Sequence, residues 1–271
     1  MTRADKVARL RALHAGRGAF VIANAWDAGS ARVLAGHGFK ALATSSAAAA
    51  NTLGRNDGRI TREESLSHAK AIVEATDLPV SADLERCFAD EPDAAAETLR
   101  LAAHAGLAGG SIEDATGEKA KPRYGFDEAV ARVAAASRVA RSVDFVLTAR
   151  TENFVNGLPD LDDTIRRLQA FEKAGADVLM APGLPDLEAI RAVCKALTKP
   201  FNFMVGIPGK SFTVKELEAA GVRRISLATS LYRAAMTGLV AAATEIRDRG
   251  TFGYLEHSVS GRDFARYMAG E

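Results

Sequence analysis

The stretch Phe20-Val21-Ile22-Ala23-Asn24-Ala25-Trp26-Asp27-Ala28-Gly29 decides between the two folds that the chain's pattern allows. It opens as an apolar strand and runs on into a helical pattern. An open doubly wound sheet that holds a nucleotide would carry a glycine-rich phosphate turn at this point. Asn24 to Gly29 is neither a dinucleotide fingerprint nor a P-loop. Working outward, seven more β-rich runs follow: Ala41–Ser45, Val80–Leu84, Gly110–Ile112, Phe145–Ala149, Val178–Ala181, Phe201–Val205 and Arg224–Ala228. Several are apolar at consecutive positions, as parallel strands covered on both faces require. Eight β-then-α units in 271 residues predict an α/β chain folded as a (β/α)8 barrel. No linker or composition break interrupts it. The chain therefore reads as one domain over 1–271, with a barrel core of about 20–249 and a helical C-terminal extension over 250–271.

The helices between the strands have readable ends. Thr61-Arg62-Glu63-Glu64 and Thr213-Val214-Lys215-Glu216 fit capping boxes, in which Thr and Glu satisfy free N–H groups reciprocally. Pro92-Asp93 and Asp162-Asp163 suit first turns, where carboxylates meet the positive end of the helix dipole. Ala105-Gly106, Ala174-Gly175 and Ala220-Gly221 each precede a strand and read as helix stops. Two helices, Leu231–Arg249 and Ser258–Met268, follow the eighth strand. The second exceeds what a barrel needs and is expected to pack on a neighbouring subunit or over the barrel.

Composition narrows the function. Hydrophobic residues make up 48% and charged residues 25%, an ordinary globular balance. With 35 basic and 34 acidic residues the net charge is +1, so the electrostatic footprint of a nucleic-acid binder is missing. Two cysteines, Cys87 and Cys194, cannot make a disulfide framework. The polar start at Met1–Lys6 lacks the apolar region of a signal peptide, and the apolar runs are too short for a membrane span. The expectation is a cytoplasmic protein with a small-molecule ligand and neither nucleic-acid nor membrane partners.

Catalytic groups of such barrels sit at the C-terminal strand ends. Those ends supply Asn24, Trp26 and Asp27; Thr44, Ser45 and Ser46; Asp83 and Glu85; Glu113 and Asp114; Arg150 and Glu152; Met180 and Pro182; Asn202; Thr229 and Ser230. Acidic groups converge from several strands with one arginine opposite. Crowded like charges are unfavourable unless a cation compensates. None of the five histidines ends a strand, which argues against zinc or copper. Carboxylates without imidazole favour Mg²⁺ or Mn²⁺. Each residue also has a plain reading. Asp83 or Glu113 alone fits a strand-end cap, Asp57 in Asn56-Asp57-Gly58 a turn, and Arg150 an ion pair with Glu152 or Glu113. Trp26 suits packing. Cys87, without a histidine nearby, suits a bystander rather than a nucleophile.

Asn24-Ala25-Trp26-Asp27, Thr44-Ser45-Ser46, the Asp57 turn, Ser81-Ala82-Asp83-Leu84-Glu85, Ser111-Ile112-Glu113-Asp114 and Thr148-Ala149-Arg150-Thr151-Glu152 stand in order on successive strand ends. This set resembles the isocitrate lyase/phosphoenolpyruvate mutase superfamily, over about Phe20 to Arg249. The resemblance implies a barrel whose last helix is swapped between subunits, in a homodimer or homotetramer. It implies Mg²⁺ chelated by an α-keto or α-hydroxy acid. Asp83 matches the metal carboxylate, and Glu85, Glu113 and Asp57 match carboxylates around the metal and its waters. Ser45 and Ser46 would hold the substrate carboxylate through backbone N–H groups, Arg150 would clamp an anionic oxygen, and Trp26 stands where the family has an aromatic. Asn202 is a further candidate for substrate binding.

One loop separates the branches. Isocitrate and methylisocitrate lyases carry a Lys-Arg-Cys-Gly-His type loop after the fourth strand. Here Gly117-Glu118-Lys119-Ala120-Lys121-Pro122-Arg123-Tyr124-Gly125 keeps a matching lysine, Lys119, while Lys121 replaces the Cys and Arg123 the His. Gly117 and Gly125 bracket it as hinges for a basic lid, which makes Lys119 a catalytic candidate. The resemblance without the thiol points away from isocitrate cleavage. It leaves a Mg²⁺-dependent lyase, decarboxylase or hydrolase that acts on a small, oxaloacetate-like α-keto acid through an enolate, a carbon–carbon lyase in class. A phosphonomutase or phosphonopyruvate-type P–C enzyme is the alternative, and a non-catalytic α-keto acid binder is the alternative of another kind.

Overall fold

The computed structural model describes residues 1–270. Eight strands form a closed, all-parallel barrel in sequence order: β1 Phe20–Asn24, β2 Leu42–Ala43, β3 Val80–Ala82, β4 Gly109–Glu113, β5 Val146–Arg150, β6 Val178–Met180, β7 Phe201–Met204 and β8 Arg224–Ser226. β8 closes on β1 through Phe20 opposite Arg224 and Ile22 opposite Ser226. All eight expected runs are strands. The second shrinks to two residues because the chain turns at Ser45, whose hydroxyl caps the helix beginning at Ser46.

The helices are α1 Arg3–Ala15, α2 Ala28–Gly36, α3 Ser46–Thr52, α4 Arg62–Ala75, α5 Pro92–His104, α6 Phe126–Ser142, α7 Leu161–Lys173, α8 Leu187–Ala196, α9 Val214–Ala219, α10 Ser230–Arg249 and α11 Gly261–Ala269. The Thr61 and Thr213 capping boxes both form. Pro92 opens α5, where its missing N–H costs nothing. Gly175, after α7, adopts φ 105°, and a Cβ there would collide with Ser137 Oγ, so glycine is required on two counts.

The barrel interior changes character from base to mouth. At the base, Val7 and Leu10 of α1 pack with Ile22, Ala41, Val146 and Val178, so α1 plugs the N-terminal end. Alternate residues of β5 then climb the interior. Val146 belongs to this apolar plug, Thr148 accepts a hydrogen bond from Arg224, and Arg150 reaches the acidic groups at the mouth. A polar middle is unusual in a fold whose interior is normally filled by branched apolar side chains.

α10 is 20 residues long and has no buried residue. Its Leu239 and Val240 are 58% and 61% exposed. The final helix, α11, packs back on α2: Tyr267 stacks on His37 at 5.3 Å, and Arg32 donates to the Met268 carbonyl. The expected cover by this extra helix is therefore partly met within the chain. Among the described residues, no helix is long and apolar enough to cross a membrane.

Candidate active site

Asp83, one residue past β3, is oriented from several sides. The Ser46 N–H donates to its Oδ2 at 3.3 Å, the Ser111 hydroxyl to Oδ1 at 3.4 Å and Arg150 Nη1 to Oδ1 at 3.1 Å. Thr44 Oγ1 accepts from the Asp83 N–H at 3.0 Å, so β2 holds the backbone as well. Arg150, the last residue of β5, is also 3.4 Å from Glu113 and 2.7 Å from Glu152. One guanidinium thus gathers three carboxylates. Its own burial opposes the charge, but Glu152, Glu113 and Asp83 hold it protonated above the ordinary arginine value. Glu113 is pushed well up despite Arg150, chiefly by burial.

Glu85 shows what this arrangement lacks. Its Oε1 is buried without a hydrogen-bond partner. Burial, then the charges of Asp83 and Asp57, push its carboxyl up to about 7. A cation beside these three acids would relieve that repulsion, so the donor set fits a divalent metal. Among the described residues, no three acidic, imidazole or thiol groups are placed to hold a metal ion by themselves. The hard, open oxygen set suits an ion that keeps waters and substrate oxygens, as Mg²⁺ does.

The turn that presents Glu85 is strained. Glu85, Cys87 and Phe88 have φ of 52°, 60° and 57°, each a cost of about 1–3 kcal/mol. Arg132, inside α6 and 1% exposed, secures the turn by donating to the carbonyls of Arg86, Ala89 and Asp90, while Thr98 Oγ1 donates to that of Cys87 at 2.7 Å. Cys87 is wholly buried, its thiol pushed up to about 12 by burial, and it donates to the Ser111 carbonyl. That is an inert thiol, as expected of a bystander.

The mouth opens into a cavity of about 250 Å³ walled by Thr44, Ser45, Asp83, Ser111, Arg150 and Arg224. A wider cleft of about 550 Å³ shares Ser46, Asp57 and Arg150 with it and adds Glu85, Glu113 and Glu152. The structure thus gathers Ser45, Ser46, Asp57, Asp83, Glu85, Glu113 and Arg150 at one end of the barrel. Three candidates sit elsewhere. Asn202 is fully buried and does not line the cavity; it bridges Ser226 and Arg224, with its carboxamide oxygen accepting from Arg224 Nε at 2.7 Å. Met204, two residues on, lines the cavity instead. Trp26 packs edge-on against Tyr232 of α10, with centroids 5.7 Å apart, and lies outside both cavities. Lys119 is exposed and lines a separate hollow with Pro122 and Asn156.

The loop carrying Lys119 is a pinned hairpin. Ala115 pairs with Arg123, Lys121 meets Glu128 at 3.2 Å and Arg123 meets Asp163 at 3.0 Å. Gly117 has φ 81°, but Gly125 is extended and caps α6, so only one of the expected hinges has the glycine-specific conformation.

Sequence reasoning missed the ground beneath the site. Asp114 is 2% exposed, accepts from Thr151 Oγ1 and the Glu152 N–H at 2.8 Å each, and pairs with Arg167 of α7 at 3.1 Å. This network fixes the segment that carries Glu152. The Glu113-Asp114 and Arg150-Glu152 pairs were visible; the mid-helix arginines Arg132 and Arg167 gave no signal, since helix-borne arginine normally faces water.

Comparisons with known proteins agree with this geometry. The phosphoenolpyruvate phosphomutase family model matches residues 10–247. A protein of Burkholderia cenocepacia J2315 classed as a lyase/mutase superposes with a TM-score of 0.96 and 50% identity, covering 98% of this chain and 97% of that one. The 2-methylisocitrate lyase of Escherichia coli K12 is 30% identical over 212 residues, 75% of this chain and 71% of its own. An oxaloacetate acetylhydrolase crystallised with its product oxalate superposes with a TM-score of 0.88 at 26% identity, covering 97% of this chain and 94% of that one. With the barrel closed, the acids gathered around one arginine and the family model spanning most of its length, the chain belongs to the isocitrate lyase/phosphoenolpyruvate mutase superfamily.

Proposed function

We propose that the protein is a Mg²⁺-dependent carbon–carbon lyase, decarboxylase or hydrolase of a small, oxaloacetate-like α-keto acid. The observation that carries this reading is the open acid cluster of Asp57, Asp83 and Glu85 beside Arg150, with one buried carboxylate oxygen unpartnered. Asp83 would hold the metal directly, with Glu85 and Glu113 engaging it or its waters; Mn²⁺ has the same oxygen preference. When bound, the metal supplies positive charge to the keto and carboxylate oxygens. The chain's own residues do the rest. Ser45 and Ser46, at the start of α3, orient the substrate carboxylate by their N–H groups. Arg150 donates to the oxygen on which charge builds as the bond beside the carbonyl breaks, and it is already in place when that charge appears. The similarity to an oxaloacetate acetylhydrolase and to a 2-methylisocitrate lyase supports an organic acid as substrate. Phosphonopyruvate chemistry is the second reading, supported by the family model that matches.

The test is calorimetry with oxalate, a planar mimic of an enolised α-keto acid. Binding is expected with Mg²⁺, none in EDTA, and none in Asp83→Ala with or without metal. Undiminished oxalate affinity in EDTA would sink the metal reading.

The same proposal covers assembly. α10 carries exposed Leu239 and Val240 and has no fully buried residue, which supports its docking on a second copy. Light scattering is expected to give a dimer or tetramer; a monomer at micromolar concentration would remove the helix exchange.

A further inference from the structure

Arg224 is the first residue of β8 and lies inside the barrel, 5% exposed. Its Nε donates to Asn202 Oδ1 at 2.7 Å and its Nη2 to Thr148 Oγ1 at 3.0 Å. Its Nη1 is buried with no partner. Both partners are neutral. Among the described residues Arg224 has no carboxylate partner, and the charged group acting on it is Arg150, which repels it. Arg150 is matched by three carboxylates, whereas Arg224 is matched by none. A buried arginine is normally paired, because an isolated buried charge is expensive and its free N–H groups cost a further unmade hydrogen bond. Here the unpaired side chain forms part of the wall of the same cavity of about 250 Å³ that Asp83 and Arg150 line. Ser81, Ser111 and Ser226 line the same cavity, and its two acids, Asp57 and Asp83, form no ion pair with Arg224.

We propose that Arg224 is a specificity-determining residue whose free Nη1 receives a second anionic group of the substrate, carried on the carbon next to the keto or hydroxyl carbon. This rests on the reading of Asp83 and Arg150 as the site for the acid's other end, and it deepens that reading by assigning the residue that holds the second anion. The guanidinium, tied to Thr148 of β5 and Asn202 of β7, puts into the cavity a fixed cation that has no ion-paired carboxylate of its own. A carboxylate and a phosphonate share the required chemistry, so the substituent itself is left to the test.

Calorimetry with Mg²⁺ and three hydroxy acids reads this without turnover of a keto acid: malate, 3-phosphonolactate, and 2-hydroxybutanoate, in which a methyl replaces malate's second carboxylate. At least one of the two dianions is expected to bind at least about tenfold more tightly than 2-hydroxybutanoate, equivalent to about 1.4 kcal/mol. The tighter of the two identifies the substituent. In Arg224→Met the ratio is expected to fall to about one, with oxalate affinity within about threefold of wild type. Arg224→Lys, which keeps the charge and spares the fold should the methionine variant not fold, is expected to retain part of the preference. A purely structural Arg224 would change all ligands together and leave the ratio alone, which overturns the proposal. So does a wild-type protein indifferent to the second anion. If oxalate fails to bind the wild type with Mg²⁺, the reading of the whole site falls with it. If oxalate binds and the ratio is flat, only the role of Arg224 falls.

Discussion

Arg150→Lys is expected to lower kcat on the best substrate of an oxaloacetate, substituted oxaloacetate and phosphonopyruvate panel by about 10²–10³-fold, the scale of removing one preorganised donor to a developing oxyanion. The lysine keeps the charge, so the acids still have a counter-ion. What goes is the planar fork that lets one side chain face Glu152 with Nε and Nη2 and Asp83 and Glu113 with Nη1. Oxalate affinity should fall as well, by about 1–3 kcal/mol, the value of a hydrogen bond between charged groups. Thermal stability should change little, because the ammonium still screens the cluster. Wild-type turnover with a lower melting temperature would invert the assignment and make Arg150 a structural ion-pair residue.

The second large effect is on stability. Arg167→Met removes the guanidinium ion-paired with Asp114 and leaves a carboxylate that is 2% exposed. Asp114 is already pushed up by burial even with Arg167, Thr151 and the Glu152 N–H in place. Stripping one partner from a buried pair costs about 3–5 kcal/mol. Arg167 also meets Asp163 at 2.9 Å, and Asp163 in turn holds Arg123 of the pinned loop. Unfolding followed by circular dichroism should therefore show a melting temperature lower by about 6–20 °C, at roughly 2–4 °C per kcal/mol for a chain of this size. Arg167→Met together with Asp114→Leu, which removes both charges, should recover much of the loss. An unchanged melting temperature in the single variant would show that solvent reaches Asp114.

The barrel was legible because its signals are local. Apolar runs of strand length, Thr-x-x-Glu starts and Ala-Gly stops repeat unit after unit, and each acts within a few residues of itself. The acidic ring was legible for a related reason: a strand end in a barrel is a fixed address, so Asp83, Glu113 and Arg150 could be placed at one mouth from order alone. Lys119, Trp26 and Asn202 were not, because their positions depend on nonlocal contacts. Lys119 follows a hairpin set by pairing across the loop, Trp26 follows Tyr232 of a distant helix, and Asn202 lies two residues deeper than Met204, which lines the cavity. Arg224 was hidden by the opposite effect. It reads as a routine charged residue beside Arg223, and only barrel closure turns it inward.

α10 carries one more implication. A helix whose contacts with its own barrel are confined mainly to its first residues, Leu231 and Tyr232, obtains the rest of its ordering free energy by mass action if it docks on another copy. Each tenfold dilution then withdraws about 1.4 kcal/mol from the association. Tyr232, which sits on Trp26 beside the Asn24-Ala25-Trp26-Asp27 segment, belongs to that same helix. In an assay at nanomolar enzyme, the first thing lost would be the order of the first strand's exit turn, so specific activity would depend on how much protein is in the cuvette.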